Sequence, residues 1–382
     1  MSRVAHVHLE PTKRVGESVE VAADFAWPAA WPKFWRDRRQ RAYVRVPADL
    51  DPSEHAVADA MLLGSLFPAM RRARVIRFHG RVSEDLLANV RRLRDLWVER
   101  RPDKYGPVEI EPDGTLVGEA PRGPAVLPFS GGLDSTWSLV RMTGPLRHAD
   151  DPVLGLTVMI HGADAPIRAR EEFGRAFDRA RRIVEPCGVP LARVETNLRE
   201  LKQNWTHSCN AALGAILTLF RRRCGEGRIA VGYAATEGMS WWPQDVTDPP
   251  LLSCRAFPIS GDGLDTERPE KFEQVVDRPE VLANLRVCYN PEVLDRNCGE
   301  CMKCQTGMLF AQAITGGAIP CFPREARESD VRAAVFCDDP LVWRRLAQFV
   351  KLARAHGHAG RLADLATELL ANAGRDLEGV AL

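Results

Sequence analysis

Apolar and polar residues alternate in the first part of the chain in a way that predicts a small α+β unit. Three segments have the pattern of strands: Val19–Phe25, Arg41–Val46 and Arg74–Phe78. His55–Met70 has the spacing of apolar residues that is typical of a helix. Ser83 is a suitable N-cap for a second helix over 84–99, because the two acidic residues after it favour a helix N-terminus.

The pattern changes after Pro112–Pro124, a segment rich in glycine and proline that is the best candidate for a linker. Short apolar strands then alternate with helices. The predicted strands are 125–129, 153–160, 191–196 and 228–233, and the predicted helices are 135–142, 167–184 and 209–222. Continuous apolar strands are buried on both faces, so the alternation predicts an α/β fold with a doubly wound parallel sheet. Residues 340–373 are predicted to be mostly helical.

The length of 382 residues is more than one ordinary core accommodates, so we expect several units. The changes of pattern place an N-terminal α+β unit at 1–120, the α/β domain at 121–325 and a C-terminal helical extension at 326–382. Hydrophobic residues make up 45% and charged residues 27%, which favours a globular chain over a disordered one.

Charge and hydropathy narrow the class of partner. The chain has 52 basic and 51 acidic residues, so it has no global field that would attract a nucleic acid, and nucleic-acid binding is not favoured. Lys33–Arg41 mixes aromatic and basic residues, but such a run is more often a solvated face. No apolar run is long enough to span a bilayer and the first residues lack a signal-peptide core, so we expect a cytoplasmic protein without a membrane partner. A homodimer is left open.

A glycine-containing loop, Ser130-Gly131-Gly132-Leu133-Asp134-Ser135, lies between the first buried strand of the α/β part and its helix. Its glycines let a phosphate approach the backbone N–H groups, and the helix N-terminus adds partial positive charge. Ser130 and Ser135 offer hydroxyl donors. Asp134 is expected to hold Mg²⁺, because a carboxylate alone would repel phosphate. The alternative is a simple Gly-Gly turn capped by two serines.

Four cysteines close together predict a metal site: Cys288, Cys298, Cys301 and Cys304. Two Cys-x-x-Cys steps overlap over 298–304, and Gly299 supports the tight turn that a chelating knuckle needs. Four thiolates close a tetrahedral Zn²⁺ site with no open position, so this zinc is expected to be structural. An iron–sulfur cluster also takes four cysteines, and the spacing alone does not exclude it.

The loop resembles that of the N-type ATP pyrophosphatases, the PP-loop family of the adenine nucleotide alpha hydrolase-like (HUP) fold, which has the pattern Ser-Gly-Gly-x-Asp-Ser. It lacks the Gly-Lys-Ser/Thr ending of kinase-type loops. The resemblance implies that residues 130–135 bind ATP and Mg²⁺. It further implies cleavage between the α- and β-phosphates and transfer of AMP to a substrate oxygen. A nucleophile then displaces the AMP. Asp134, Ser130 and Ser135 are the candidate catalytic residues.

The loop and the cysteine knuckle together resemble the QueC (7-cyano-7-deazaguanine synthase) family over roughly residues 125–315. That family adenylates a carboxylate and forms first an amide and then a nitrile. This chain differs from the family pattern: about 120 residues precede the loop, the knuckle is one residue longer, and Ile160–Asp164 does not match. The resemblance is therefore carried over for ATP and zinc, and not for the substrate, which is a small molecule or a protein terminus.

Polar residues at the predicted strand ends are further candidates for the pocket. His161 and Glu237 are expected to contact the nucleotide or its metal, with capping or surface roles as the alternatives. His207 is a weaker candidate of the same kind, and Trp241–Pro243 is a candidate for stacking on a planar substrate. Two other functions stay open: modification of tRNA, which predicts a basic N-terminal surface, and a partner protein that senses ATP without turnover.

Overall fold

The computed structural model describes residues 3–28, 39–201, 203–232, 248–333, 340–375 and 377. Within them eleven strands join one mixed, mostly parallel sheet flanked by helices, which confirms the predicted α/β class. The strands are β1 (Val4–Leu9), β2 (Lys13–Val15), β3 (Ser18–Ala26), β4 (Arg39–Pro47), β5 (Val75–Ser83), β6 (Glu109–Leu116), β7 (Ala125–Pro128), β8 (Leu154–His161), β9 (Leu191–Thr196), β10 (Glu226–Ala230) and β11 (Ile259–Asp262).

The helices are α1 (Glu54–Met70), α2 (Glu84–Arg100), α3 (Leu133–Thr143), α4 (Arg170–Val184), α5 (Trp205–Thr218), α6 (Asp248–Leu251), α7 (Arg268–Glu273), α8 (Pro279–Asn284), α9 (Met302–Thr315), α10 (Glu328–Ala333), α11 (Pro340–Ala355) and α12 (Arg361–Asn372). None of these helices is both long enough and apolar enough to cross a membrane.

The order in which the chain adds strands to the sheet reverses at β7. The strand order is β11-β10-β7-β8-β9-β4-β3-β1-β5-β6, with β2 paired to β3 outside this path. All neighbouring pairs from β11 to β9 are parallel, as the apolar pattern predicted for this part of the chain. The chain continues from β7 to β8 on one side and later occupies β10 on the other, so the end of β7 is the position where α/β sheets bind ligands.

The N-terminal strands extend this same sheet and do not form a separate one. β4 pairs antiparallel with β9, with Val44 opposite Thr196 and Arg45 opposite Glu195. The side chain of Asn197, just after β9, adds two hydrogen bonds to the backbone of β4. Its oxygen accepts from the Tyr43 N–H at 2.7 Å and its amide donates to the Arg41 carbonyl at 2.8 Å. The antiparallel pairs β9–β4, β4–β3 and β3–β1 therefore lie between the parallel strands β11 to β9 and the parallel strands β1, β5 and β6, and the sheet as a whole is mixed.

Each face of the sheet has its own hydrophobic core. On one face, Leu66 of α1 and Trp97 of α2 belong to the same buried cluster as Ile216 of α5 and Phe257. On the other face, α3 and α4 share a cluster with α9, α11 and α12. The first core is thus common to the N-terminal unit and the α/β part, and the C-terminal helices complete the second.

Several predicted boundaries need correction. Residues 112–116, assigned to the linker, belong to β6 because they pair in parallel with β5. The helix predicted at 209–222 begins at Trp205 and ends at Thr218. Ser83 precedes α2 as predicted, but its hydroxyl donates to Asp59 at 2.6 Å and does not cap the helix.

Candidate functional site

The phosphate loop predicted at 130–135 follows β7 and leads into α3 as expected. Gly131 has φ +73°, a left-handed conformation that favours glycine. Gly132 is the N-cap residue, and the first helical bond runs from the Thr136 N–H to its carbonyl. The N–H groups of the first turn therefore stay outside the helical ladder and point toward the edge of the sheet, where they suit an anion.

The two serines hold the loop in shape. The Ser130 and Ser135 Oγ atoms lie 3.2 Å apart. Ser130 Oγ accepts from the Gly132 N–H at 3.2 Å, and Ser135 Oγ accepts from the Ser130 N–H at 3.3 Å and donates to the Gly132 carbonyl at 3.2 Å. These bonds are those of the serine-capped Gly-Gly turn that was considered as the alternative, so they are compatible with both interpretations of the loop.

Asp134 carries the observation that favours ligand binding. Its Oδ2 atom lies 3.4 Å from an Arg268 guanidinium nitrogen. Its Oδ1 atom is buried and has no hydrogen-bond partner among the described residues. A buried carboxylate oxygen without a partner is costly, and a bound cation or donor would satisfy it. This oxygen would therefore suit a hard cation such as Mg²⁺, because such ions take carboxylate oxygen.

Basic side chains surround this end of the loop. The Arg286 N–H donates to the Gly131 carbonyl at 2.8 Å, and its Nε is buried without a partner among the described residues. Lys303 has an exposed side chain, but desolvation by the surrounding protein lowers the pKa of its ammonium group. The charge of Arg268 lowers this pKa further, and the charges of Asp134 and Asp164 oppose the effect. The side chains of Arg268 and Lys303 and the backbone of Arg286 thus approach one glycine loop, while the Arg286 guanidinium donates to the Cys288 carbonyl at 3.3 Å and lies 3.9 Å from Asp164. Positive charge of this kind beside a glycine loop suits an anion.

Sequence reasoning missed these three basic residues. Lys303 stands inside the cysteine knuckle, so its place between Cys301 and Cys304 was the one signal that could have singled it out. Arg268 begins α7 and Arg286 follows α8, two short helices that the apolar pattern did not predict. They approach the loop only in the folded protein, because more than 130 residues separate them from it in the sequence, and a local apolar pattern does not predict such contacts.

His161 is placed differently from the expectation. It ends β8 as predicted, but its ring is fully buried and stacks on Phe173 with ring centroids 4.4 Å apart. Its Nε2 lies 3.1 Å from the Pro166 carbonyl, and its Nδ1 lies 3.6 Å from a Glu195 oxygen. Both ring nitrogens are therefore engaged with protein, and burial lowers the pKa of the imidazole. In this structure His161 packs at the β8–α4 connection, and its expected contact with the nucleotide stays a prediction.

His207, another strand-end candidate, lies away from the loop. His207 lies in the first turn of α5, where its Nδ1 is 2.8 Å from the Tyr105 hydroxyl and its ring packs against Trp97 on the opposite face of the sheet. Glu237 and Trp241–Pro243 lie outside the described residues. The expectation for His207 is replaced by a structural role between α2 and α5, and that for Glu237 stays a prediction.

The four predicted metal ligands come together. The sulfur atoms of Cys288, Cys298, Cys301 and Cys304 all lie within 4.8 Å of one another. The Cys288–Cys301 and Cys298–Cys304 sulfur pairs are 3.8 and 3.9 Å apart. Four thiolates bound to Zn²⁺ at about 2.3 Å would be separated by about 3.8 Å, so these residues fit a tetrahedral metal such as zinc.

The backbone around the cysteines is shaped for such a site. The N–H groups of Glu300 and Cys301 point at the Cys298 sulfur at 3.3 and 3.2 Å. Gly299 has φ +79°, as the predicted tight turn requires. Buried Asn297 accepts from the Cys288 N–H at 3.2 Å and donates to the carbonyl of Leu285 at 2.8 Å. These bonds orient the ligands from outside the sulfur cluster.

The cysteine site and the phosphate loop are directly connected. Residues 286–288 run from the Gly131 carbonyl, which Arg286 contacts, to the first cysteine ligand. At the other end of the knuckle, Cys301 is the N-cap residue of α9, and Lys303 and Cys304 lie in its first turn. A metal on the cysteines would therefore fix the positions of Lys303 and of the Arg286 backbone at the loop.

Comparisons of the chain with protein-family models, with curated proteins and with solved structures gave no match. What can be said of function accordingly depends on the loop, its cations and the cysteine site.

Proposed function

We propose that this protein is an ATP-dependent adenylating enzyme that activates a carboxylate or amide oxygen for carbon–nitrogen bond formation and releases pyrophosphate. The observation that carries the proposal is the unpartnered, buried Asp134 Oδ1 at a glycine loop at the end of β7, where the strand order reverses, with Arg268 3.4 Å from the same carboxylate and Lys303 nearby. The loop resemblance to the PP-loop family supports the same chemistry. The combination with a Cys₄ site supports a QueC-like enzyme, whose substrate is not implied.

In the proposed reaction, a substrate oxygen attacks the α-phosphorus of ATP. The bond from that phosphorus to the oxygen bridging to the β-phosphate breaks, and its electron pair leaves with pyrophosphate. A nitrogen nucleophile then displaces AMP from the activated carbon. Mg²⁺, held by Asp134, would supply charge neutralisation on the phosphates.

The residues of the chain contribute binding and electrostatics in this scheme. The α3 N-terminus and the Gly131–Gly132 backbone orient the phosphates, while Ser130 and Ser135 keep the loop preorganised. Arg286 and Lys303 stabilise the negative charge that develops on the departing pyrophosphate. A zinc ion closed by four thiolates has no open position and takes no part in the chemistry.

The test measures AMP and pyrophosphate formed from Mg-ATP in the presence of a fractionated metabolite extract. We expect extract-dependent release by the zinc-loaded protein and a rate at least about 100-fold lower in Asp134→Asn, with an unchanged circular dichroism spectrum. The matched control is Asp150→Asn, which removes an exposed carboxylate away from the loop. Equal AMP release from the Asp134→Asn variant would contradict the proposal. Binding of ATP with no AMP from any fraction would favour the nucleotide-sensing alternative.

A further inference from the structure

Three histidines meet on the N-terminal half of the sheet, far along the strand order from the phosphate loop. β1 and β5 are parallel neighbours, with His8 of β1 opposite His79 of β5 and His6 opposite Arg77. His6 and His8 are two residues apart, so both project from the same face of β1, while Ala5 and Val7 between and beside them point into the core. The strand register thus places three imidazoles side by side.

The ring nitrogens are close enough to share one ligand. Each histidine offers a nitrogen that lies within 4.8 Å of a nitrogen of the other two. His6 Nδ1 and His79 Nε2 are 3.0 Å apart, and the His8 and His79 rings stack with centroids separated by 4.0 Å. Three nitrogens bound to one Zn²⁺ at about 2.0–2.1 Å are separated by about 3.4 Å in a tetrahedron, so small side-chain movements bring them into range.

The stacked arrangement sets what those movements must be. Because the rings are nearly parallel, their nitrogen lone pairs lie in parallel planes. Binding of one metal ion requires the three lone pairs to point at the same position. The rings must therefore rotate about their side-chain torsions. His8 is exposed and His6 and His79 are only partly buried, so solvent-facing space is available for that rotation. The backbone register, which fixes the three Cα positions, need not change.

We propose that His6, His8 and His79 form a second metal site, which binds a divalent transition metal of the Zn²⁺, Ni²⁺ or Co²⁺ class through three imidazole nitrogens. Imidazole is the preferred ligand of these borderline ions, whereas Mg²⁺ and Ca²⁺ require oxygen ligands. Three protein ligands leave a fourth position for water, and exposed His8 places that position toward solvent. The site differs from the cysteine site in ligand type, in exposure and in its open position, and it does not depend on the proposed adenylating function.

The experiment uses the full chain with zinc already on the cysteines, freed of weakly bound metal by dialysis against a mild chelator. Isothermal titration with Zn²⁺ is expected to show one further equivalent. Titration of a parallel sample with Co²⁺ is expected to give a ligand-field spectrum for nitrogen and oxygen ligands, without thiolate charge-transfer bands. His8→Ala and His79→Ala should each weaken this binding at least about tenfold.

The matched control is His55→Ala, which removes an exposed histidine from the first turn of α1 and should leave the extra equivalent unchanged. Circular dichroism checks that each variant is folded, and His8→Ala truncates an exposed side chain that the core does not need. The proposal is overturned if the wild-type protein binds no metal beyond the cysteine site. It is also overturned if His8→Ala and His79→Ala bind the extra ion as tightly as His55→Ala does.

Discussion

At the scale of single residues, Gly131 is the position of the phosphate loop that tolerates least change. Its φ of +73° is rarely adopted by residues with a Cβ, although the nearest atom to an added Cβ, on Ala180, is 3.8 Å away. The restriction therefore comes from the backbone conformation and not from lack of space. Its carbonyl also accepts from the backbone N–H of Arg286, so a change in the peptide plane reaches the segment that leads to the first cysteine.

Gly131→Ala should lower both stability and ATP affinity. The left-handed conformation costs a residue with a Cβ about 1–2 kcal/mol, and relief of that strain would move the loop. Gly188→Ala is the matched control, because Gly188 has φ +70° with no atom within 4 Å of an added Cβ and follows α4, away from the loop. Thermal unfolding should shift similarly in both variants, whereas calorimetric ATP binding should weaken only in Gly131→Ala. Equal ATP affinity in the two variants would contradict a role of the loop in binding.

Lys303→Gln should weaken ATP binding by about tenfold while leaving the thermal unfolding temperature nearly unchanged. A charge-assisted bond to phosphate contributes about 1.5–3 kcal/mol, and the exposed side chain is not needed for the core. Lys351→Gln, an exposed lysine on α11, is the control. If both variants bind ATP as the wild type does, Lys303 does not contact the phosphates.

At the scale of elements, the segment from Arg286 to α9 links the cysteines to the loop. Zinc would hold the Cys301 N-cap and the first turn of α9, and thereby the position of Lys303. The short elements α7 and α8, which lead into this segment, have too few residues to stabilise themselves, so their geometry depends on what anchors them.

Cys298→Ser should therefore abolish zinc binding at the cysteine site and reduce ATP affinity as well. Loss of the metal removes a large part of the local folding energy, since structural zinc sites contribute on the order of 10–16 kcal/mol in small peptides. Metal analysis, thermal unfolding and ATP titration measure the three effects. Cys187→Ser, at a half-buried cysteine outside the cluster, should retain zinc and ATP binding. Normal ATP affinity in a zinc-free Cys298→Ser protein would show that the two sites are independent.

The packing of His207 between α5 and α2 predicts how the stability of the protein depends on pH. Burial and the nearby charges of Lys104 and Arg101 lower the pKa of His207 to about 4. In the unfolded chain this group titrates near 6.5, so between pH 6.5 and 4 the unfolded state binds a proton that the folded state does not. Stability from this group is present above that range and decreases as pH falls, by about 3 kcal/mol in total.

His207→Gln removes this titration while keeping a hydrogen-bonding side chain near Tyr105. Urea unfolding of both proteins from pH 7 to pH 4.5 should show a steeper loss of stability in the wild type. The zinc site contributes equally to both curves, so their difference isolates the histidine. Parallel curves would mean that His207 is protonated normally in the folded protein.

How far the sequence predicted these elements depended on the range of the interactions that form them. The helices α1 to α4 and the parallel strands β7–β9 were predicted closely, since a local apolar period determines both, whereas the 14-residue helix α9 was not predicted. The loop and the four cysteines were predicted as residue patterns, and the structure brings the cysteines together. β1, the pairing of β4 with β9 and the approach of Arg268 to Asp134 were not predicted, because they join residues far apart in sequence.

At the scale of the whole molecule, the N-terminal unit and the α/β part share a core. Leu66 of α1 is fully buried in the cluster that also contains residues of α5 and β10, and Arg221 pairs with fully buried Asp59 at 2.7 Å across the same contact. Neither part buries its apolar surface without the other, so the two are expected to unfold together.

Leu66→Ala should lower the stability of both parts by about 2–5 kcal/mol, because it opens a cavity in the shared core. Circular dichroism follows the helices, and release of zinc to a colorimetric chelator follows the distant cysteine site. We expect the two midpoints to fall together on heating or in urea. A zinc-release midpoint that stays at the wild-type value while the helical signal shifts would show two independent domains.

The antiparallel pairing of β4 with β9 has a consequence for self-association. Without the N-terminal strands, β9 would be the outer strand of the parallel region, with a row of unpaired backbone donors and acceptors. Such an edge is a template on which further chains add strands and aggregate. Val44 and Arg45 of β4 pair with Thr196 and Glu195 at the end of β9, so the N-terminal unit covers this end of the edge within the same molecule and should reduce aggregation of the α/β part.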